Sequence, residues 1–468
     1  MIWLVEASSR AGSLCHMLGC LLTGEGMDVS CCPNLSFGRS FMNLVPVAGI
    51  DVGKHFSEMA VLSPSNAIVV RLKIYHDASS NIDKAIEVLR KVEKDFAARP
   101  VVVMESTGHY HKILFHSLCK AGFDISVINP LQTDSIKNLG IRKVKSDKVD
   151  ARRIALLYRF QELKTTNVPD GDLDCLRSLC RQYYNLADEL TAYKNRLIGI
   201  VDQIMLNFTD VFKDVCSQTA LAILEKYPTP SSILKADRAG LIELIRKTSR
   251  KNVKWAIKKY ELLISKARDF EPLSLGTPAN LAMLEVNISM VKSLSKSLEK
   301  VLAAILELLA ADAGKDLPVL SMTIALLCSI PGIGLITAAT VLAEIGDFSA
   351  FSNPDKLVAF FGIDPSVKQS GQFEGTQNKM SKRGSRLLRR VLFTTALANV
   401  RKKRNGKEHN PVLYDFYRKK CVSKAKKVAL GAVMHKLISI IFAVLRDKKP
   451  FELRRPEEHA KMLNKKAS

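Results

Sequence analysis

Four acidic residues in the first third of the chain occupy positions from which carboxylates can act on phosphate esters. Asp51 ends the strand-like run 47–51, and Glu105 ends a second run, 100–105. Asp147 and Asp150 are three residues apart at the start of a predicted helix, so they share one helix face. If a sheet brings the two strand ends together, all four acids surround one cleft, where cations must offset their repulsion.

The chemistry that such a cluster supports is metal-assisted phosphoryl transfer. Oxygen-only ligands suit Mg²⁺ or Mn²⁺, and two such ions about 3.5–4 Å apart stabilise both the attacking and the leaving oxygen. Each acid taken alone also has a structural interpretation, because a strand-end Asp is often a turn residue and Asp147 can cap the helix that follows it. The ordered set in a strongly basic chain favours the metal site.

The charge of the chain indicates a polyanionic partner. The 468 residues carry a net charge of +24. Residues 368–468 alone contain 27 Lys and Arg against 7 Asp and Glu. Binding phosphates with Lys and Arg releases condensed counterions, so this concentration favours a nucleic-acid surface over a merely solvated one. We expect no membrane partner, because we find no apolar run near the length of about 20 residues that a span needs.

The elements that must position the acids alternate between strand and helix patterns. Strand patterns cover 47–51, 59–63, 68–75, 100–105 and 124–129, and helical spacing covers 82–96, 110–121 and 148–160. Three early strands followed by alternating helices and strands predict a mixed α/β sheet.

A long helical region follows this sheet. Apolar residues step by threes and fours from Leu176 to Ile204, and again from Val291 to Leu308. The two seams could pair with each other as an antiparallel hairpin or pair between subunits, and an ordinary buried helix face is equally compatible. The segment 223–275 between them reads as helical and basic, with early breaks at Pro228 and Pro230.

A third unit begins near Leu317 and contains a glycine-rich turn between two helical patterns, 324–329 and 335–345. The turn is Ile330-Pro331-Gly332-Ile333-Gly334. Its glycines would let the backbone approach a phosphate, as in a helix-hairpin-helix motif, although an ordinary helical turn gives the same pattern.

The motifs that carry a family resemblance lie in both halves of the chain. They are Gly49-Ile50-Asp51-Val52-Gly53-Lys54, Met104-Glu105-Ser106-Thr107-Gly108, Lys145-Ser146-Asp147-Lys148-Val149-Asp150-Ala151, the glycine-rich turn above, Phe361-Gly362-Ile363-Asp364-Pro365, Gln369-Ser370-Gly371, Ser381-Lys382-Arg383-Gly384 and Leu387-Leu388-Arg389. At these positions the chain resembles the DEDD-type insertion-sequence transposases of the IS110 and IS1111 group. The resemblance covers roughly residues 45–445.

The resemblance implies three domains. They are an RNase H-like (RuvC-like) α/β nuclease domain at 45–165, an all-α coiled-coil region at 170–312, and a mostly helical C-terminal transposase domain at 317–450. A basic tail, 451–468, would follow, and 1–44 would be an extension to which we assign no role. The resemblance also implies that Asp51, Glu105, Asp147 and Asp150 hold the metals.

The family further implies a serine in the C-terminal domain that forms a covalent link to DNA. The best positional match is Ser370, and Ser381 is second. Family members use an element-encoded structured RNA, so the resemblance implies a guide RNA as well as DNA. We expect five basic residues to contact phosphate backbone, with a solvated helix face as the alternative: Lys382, Arg383, Arg386, Arg389 and Arg390.

These expectations predict a bacterial, cytoplasmic, homo-oligomeric transposase that cuts and rejoins DNA with Mg²⁺ or Mn²⁺. Two other classes remain open. A structure-selective nuclease of the Holliday-junction-resolving kind would also use four acids but needs no serine, and a non-catalytic nucleic-acid-binding protein would need neither.

Overall fold

A computed structural model describes residues 45–106, 108–128, 147–160, 163, 171–365, 369–370, 373–374 and 379–467. The chain divides into two compact units, Met1–Val168 and Pro169–Ser468. The predicted extension, 1–44, lies outside the described residues.

The first unit is built on a five-stranded sheet. Strands β1 (Val47–Val52), β2 (Phe56–Leu62) and β3 (Ile68–Tyr75) form an antiparallel meander, and β4 (Val101–Glu105) and β5 (Ile125–Ile128) continue it in parallel beyond β1. The strand order is therefore β3-β2-β1-β4-β5. A meander extended by parallel strands beside its first strand is the RNase H-like arrangement, so the predicted fold class of this unit is confirmed.

Helices cover both faces of this sheet because successive residues of a strand point to opposite faces. Two helices, α1 (Ser79–Phe96) and α2 (His111–Lys120), pack on the face that carries Ala48, Ile50 and Val52. The opposite face carries Val47, Leu62 and Val103 and packs against α3 (Asp147–Phe160). The acids of interest lie on this second face.

The observed elements of this unit agree with the predicted ones to within two residues, except that α1 and β2 each begin three residues early. This strand begins at Phe56, three residues before the predicted start. The prediction missed Phe56–Glu58 because the turn after β1 is short, with the Gly53 amide donating to the Phe56 carbonyl at 3.1 Å.

Gly49 lets α3 pack directly on β1, and its replacement is expected to displace that helix. A Cβ at residue 49 would lie 2.1 Å from the Ala151 carbonyl oxygen and 2.4 Å from the Ala155 nitrogen. Because the added methyl group would clash with backbone atoms of α3, we expect Gly49→Ala to lower the free energy of unfolding by about 1–3 kcal/mol. It should also weaken Mn²⁺ binding, since Asp147 and Asp150 lie in the first turn of α3. Urea unfolding and Mn²⁺ titration measure the two effects.

A matched control is Gly199→Ala, in a helix of the second unit. A Cβ at Gly199 meets nothing within 4 Å, so this change should be neutral or stabilising by up to about 1 kcal/mol through helix propensity. If Gly49→Ala behaved like this control, close packing of α3 on β1 would not be what places the two aspartates.

The second unit is organised by two long helices, α4 (Gly171–Met205) and α10 (Pro278–Ala313). Leu176 at the start of α4 shares a core with Ile305 near the end of α10, whereas Leu197 near the end of α4 shares one with Leu284 near the start of α10. The two helices therefore run antiparallel, and of the alternatives left open by the sequence the structure shows pairing within the chain.

Shorter helices close both ends of this pair. Around Leu197 and Leu284 lie α5 (Phe208–Val211), α6 (Gln218–Lys226), α7 (Pro230–Leu234), α8 (Arg238–Ser249) and α9 (Val253–Phe270). Around Leu176 and Ile305 lie α11 (Val319–Cys328), α12 (Leu335–Ile345), α13 (Pro354–Phe361), α14 (Arg386–Asn399), α15 (Pro411–Ser423) and α16 (Lys426–Asp447), followed by α17 (Pro456–Ala467). A small hairpin, β6 (Gln369–Ser370) with β7 (Phe373–Glu374), lies between α13 and α14.

The 22-residue helix α16 corrects one expectation from the sequence. By length and composition it is long and apolar enough to cross a membrane, whereas no such run was expected from the sequence. Half of its most apolar 18-residue window is buried inside the protein. Val433, Leu437 and Ile441 belong to the core of the second unit, so here α16 serves as a core helix.

Candidate active site

Two of the four predicted acids lie at the same edge of the sheet in the first unit. Strands β1 and β4 are parallel neighbours, with Ile50 in register with Met104. The next residues, Asp51 and Glu105, therefore follow side by side where the two strands end. Glu105 is 8% exposed, so its carboxylate lies mostly out of bulk water.

The other two acids come from the first turn of α3. Asp150 is 4% exposed and accepts a hydrogen bond from the Arg153 guanidinium at 2.9 Å. Asp147 is exposed at the start of the helix. Because α3 packs on β1 at Gly49, its first turn lies at the strand ends rather than along the sheet.

These elements bring the four acids to one cleft of about 380 Å³. The residues that line it are Asp51, Val52, Gly53, Lys54, His55, Phe56, Glu58, Glu105, Asp147 and Asp150. The predicted convergence of the four carboxylates is thus present in the structure. Their role as metal ligands stays a prediction.

The donor set of this cleft suits a hard divalent cation, because its acidic ligands offer only oxygen. Within the described residues, no three His, Cys, Asp or Glu side chains are already placed to ligate a single ion. Like charges in a shared cleft separate unless a cation draws them together. The residues fit Mg²⁺ or Mn²⁺ by their chemistry and by their common cleft.

Glu58 is a fifth acid in the cleft that was not among the predicted site residues. It lies in β2 directly opposite Asp51 of β1. The signal that would have found it is the hairpin: with a short turn at Gly53, an antiparallel pairing puts residues 51 and 58 opposite each other. The predicted start of β2 at residue 59 left Glu58 outside the strand.

The two candidate serines belong to one loop region of the second unit. Ser370 is in β6, in register with Phe373 of β7. Ser381 follows at the base of this hairpin, where Pro365 and Met380 form a single antiparallel bridge. The sequence predicted a turn serine or a nucleophile at residue 370, and its position in a hairpin is compatible with either.

Ser381 joins the two ends of this loop. Its hydroxyl donates to the Asp364 carboxylate at 2.5 Å, and its backbone amide donates to the Asp364 carbonyl at 2.8 Å. A carboxylate that accepts from a serine hydroxyl can withdraw the proton or fix the side chain. Ser381 is therefore held by Asp364 at both main-chain and side-chain level.

Two glycines make close backbone contact below this pair. Gly362 has φ +67°, and a Cβ there would lie 2.3 Å from the Gly384 nitrogen. The Arg389 guanidinium donates to the carbonyls of Phe361 at 3.2 Å and Gly384 at 2.6 Å. In this structure Arg389, one of the five predicted phosphate contacts, therefore fastens the start of α14 to the end of α13.

The other four predicted phosphate contacts are exposed. Lys382, Arg383 and Arg386 lie just before α14 or in its first turn. Arg390 makes a two-pronged ion pair with Asp188 of α4, with both N–O distances 2.6 Å. Lys382, Arg383 and Arg386 are thus the residues of this set that are best presented to a nucleic acid.

The glycine-rich turn joins α11 to α12 as predicted. Gly332 has φ +80°, and a Cβ there would lie 3.0 Å from Ala398 and Asn399 of α14. The Asn399 amide also donates to the Pro331 carbonyl at 2.7 Å. Packing against α14 accounts for Gly332, and phosphate binding by the turn stays a prediction.

Four of the six thiols in the described residues are poor candidates for the nucleophile. Burial raises the pKa of Cys119, Cys216 and Cys328, and it raises the pKa of Cys180 to about 11. A thiol must ionise to attack. Burial therefore disfavours these four thiols as nucleophiles.

Two family models match the chain in the order that the motifs predicted. An IS110-type DEDD transposase model matches residues 48–206, and the model described as Transposase IS116/IS110/IS902 family matches residues 324–411. The chain belongs to the IS110-type DEDD transposases. The family resemblance and the predicted DNA transposase activity are thereby confirmed.

Relatives of the transposase include proteins of bacterial insertion elements and a gene-inverting protein. It is 25% identical over 417 residues to an uncharacterized 43.6 kDa protein of insertion element IS110 from Streptomyces coelicolor, covering 87% of this chain and 96% of the relative. It is 34% identical over 138 residues to a pilin gene-inverting protein of Moraxella lacunata, covering 29% and 41%. It is 40% identical over 77 residues to the transposase for element IS1111A of Coxiella burnetii, covering 16% and 21%.

One solved structure, Thermus RuvC in complex with a Holliday junction substrate, covers 26% of the transposase and 99% of its own chain, at 14% identity and a TM-score of 0.21. A TM-score this low carries no weight in assigning the RNase H-like fold, which rests on the strand order and on the family match.

Proposed function

We propose that the transposase cuts and rejoins DNA with divalent metal ions held by Asp51, Glu105, Asp147 and Asp150. The observation that carries the proposal is that these acids, from two strands and a helix, line one cleft. Mg²⁺ is the expected ion, with Mn²⁺ as the alternative. When bound, such ions stabilise negative charge on the attacking and leaving oxygens of a phosphodiester.

The protein's own contribution in this cleft is to fix the carboxylates. Asp51 and Glu105 are held by strand pairing, and Asp150 is held by α3 and by the Arg153 guanidinium. Carboxylates on regular elements keep their spacing better than those on loops, and preorganised charge avoids reorganisation during reaction. The exposed Lys54 at the rim offers a cation for a DNA phosphate.

We propose Ser370 as the nucleophile that links protein to DNA. Its oxygen would form a bond to phosphorus as the scissile P–O bond breaks. The serine proton would pass to a base, and the released strand end would take up a proton. The phosphoserine ester conserves the bond energy for rejoining.

The Asp364–Ser381 pair supports this assignment by closing the base of the loop that carries Ser370. Ser381 remains the second candidate nucleophile, with Asp364 as its base.

A guide RNA and DNA are the proposed nucleic-acid partners. The surplus of Lys and Arg in 368–468 and the exposed Lys382, Arg383 and Arg386 support a polyanion surface. The protein would act in the bacterial cytoplasm as a homo-oligomer, since two DNA ends must be processed together.

Sequencing the nucleic acid that co-purifies with the transposase tests these partners. We expect an RNA copied from DNA next to the gene, because pairing would supply the target choice. A variant with Arg383→Glu and Arg386→Glu should retain much less of it at moderate salt, since each lost phosphate contact lowers affinity. Glu457→Gln, at an exposed position of α17, is a control that should retain it. Recovery of DNA fragments alone, with no RNA, would contradict the guide.

A further inference from the structure

Glu58 shares a sheet face with the proposed metal ligands. It is paired with Asp51 across the antiparallel β1–β2 ladder. Directly opposed residues of such a pair project to the same face, with Cβ atoms about 4.5–5.5 Å apart. Along β2, Glu58 alternates with Ala60 and Leu62, and Leu62 belongs to the core under α3. Glu58 therefore faces the side on which the acid cleft opens.

Glu58 is mostly buried, yet it lines the acid cleft and has no charge partner of its own. The side chain is 7% exposed and lines the cleft. Among the described residues it has neither a hydrogen bond nor an ion pair. Burying a charge is costly unless it is paired, and like charges directly opposite each other in a sheet are destabilising.

A cation from the protein is near but is engaged elsewhere. Lys73 of β3 is the other cross-strand neighbour of Glu58. Its ammonium lies 3.6 Å from the centre of the Phe56 ring and 5.2 Å from that of Tyr75. The sheet thus supplies Glu58 with Asp51 on one side and with a lysine occupied by aromatic rings on the other.

We propose that Glu58 is a fifth carboxylate of the cleft that contributes to divalent-cation binding beside Asp51, directly or through a water on the ion. The proposal rests on the metal-binding role of the four acids argued above. A bound cation would provide the charge partner that Glu58 lacks. The pairing of a fifth acid with Asp51 would raise the cation affinity of the cleft above that of the four acids alone.

The test measures binding rather than catalysis. Mn²⁺ is titrated into the full-length protein and the free ion is followed by electron paramagnetic resonance, with thermal unfolding of the metal-free protein measured in parallel. Glu58→Gln keeps the side-chain shape and removes the charge. We expect it to weaken Mn²⁺ binding about ten-fold and to raise the Tm of the metal-free protein by a few degrees. Glu58→Asp, which keeps the charge, should retain part of the affinity.

Two matched variants separate the possible outcomes. Glu87→Gln, at an exposed position of α1, controls for the loss of one negative charge, and Asp51→Asn reports on the metal site itself. If Asp51→Asn weakens binding and Glu58→Gln does not, the proposal for Glu58 fails and the four-acid site stands. If Glu58→Gln lowers the Tm and leaves Mn²⁺ affinity unchanged, Glu58 serves the fold through Lys73 and the proposal fails. If neither variant affects Mn²⁺ binding, the metal role of the whole cleft fails with it.

Discussion

Asp51→Asn is expected to slow DNA cleavage by the transposase about a thousand-fold or more, which corresponds to about 4 kcal/mol of lost transition-state stabilisation. The change replaces a carboxylate at the end of β1 with an amide of the same shape. An amide is a weaker ligand for a hard cation and carries no charge to attract one. Cleavage of end-labelled DNA in the presence of Mg²⁺, followed on denaturing gels, measures the effect.

The specificity of this loss is checked by an aspartate that is outside the cleft. Asp83 is exposed on α1, so Asp83→Asn should cleave at the wild-type rate. DNA binding by Asp51→Asn, measured by gel shift, should persist, because the basic surface lies in the other unit. If Asp51→Asn cleaved DNA as fast as the wild type, the acid cleft would not be the site of cleavage.

The second large effect is expected at the serine. Ser370→Ala should abolish the covalent protein–DNA product and with it strand exchange, because no hydroxyl is left to attack at that position. Ser381→Ala should still form the product but more slowly, because it loses only the link to Asp364 that closes the loop. Denaturing gels of the protein with labelled DNA separate the covalent product from bound and free DNA.

The two serine variants serve as controls for each other and decide between classes of enzyme. If Ser381→Ala lost the covalent product and Ser370→Ala kept it, the Asp364–Ser381 pair would be the nucleophilic centre. If both variants kept strand exchange, no serine of this loop would be needed. The transposase would then work as a four-acid nuclease of the junction-resolving kind.

The local pattern of the first unit was sufficient to predict its sheet. The apolar runs ending in Asp51 and Glu105 mark buried strands, and the spacing of Asp147 and Asp150 marks a helix start. Each signal depends only on residues that are neighbours in the sequence, so it can be recognised before the fold is known. The antiparallel pairing of α4 with α10 could not be predicted in this way. Two apolar helix seams can pair within one chain or between two chains, and only the packed structure shows which arrangement forms.

Arg389 shows what a local pattern leaves undecided about the setting of a side chain. In the sequence it is one of several basic residues before and within a helix, all equally suited to phosphate. In the structure the close contact of Gly362 with Gly384 brings two carbonyls within its reach. Whether a basic side chain faces solvent depends on residues distant in sequence, which no local pattern records.

What the sequence determined by itself was the set of chemical groups and the elements that carry them: acids at strand ends and a helix start, serines in a C-terminal loop, and a basic surface. Only the tertiary structure decided which of these groups meet. The register of β1 with β2 puts Glu58 opposite Asp51, and a slip of one residue would turn it to the other face. Register follows from the turn and from packing under α3, so it is a property of the assembled sheet rather than of either strand.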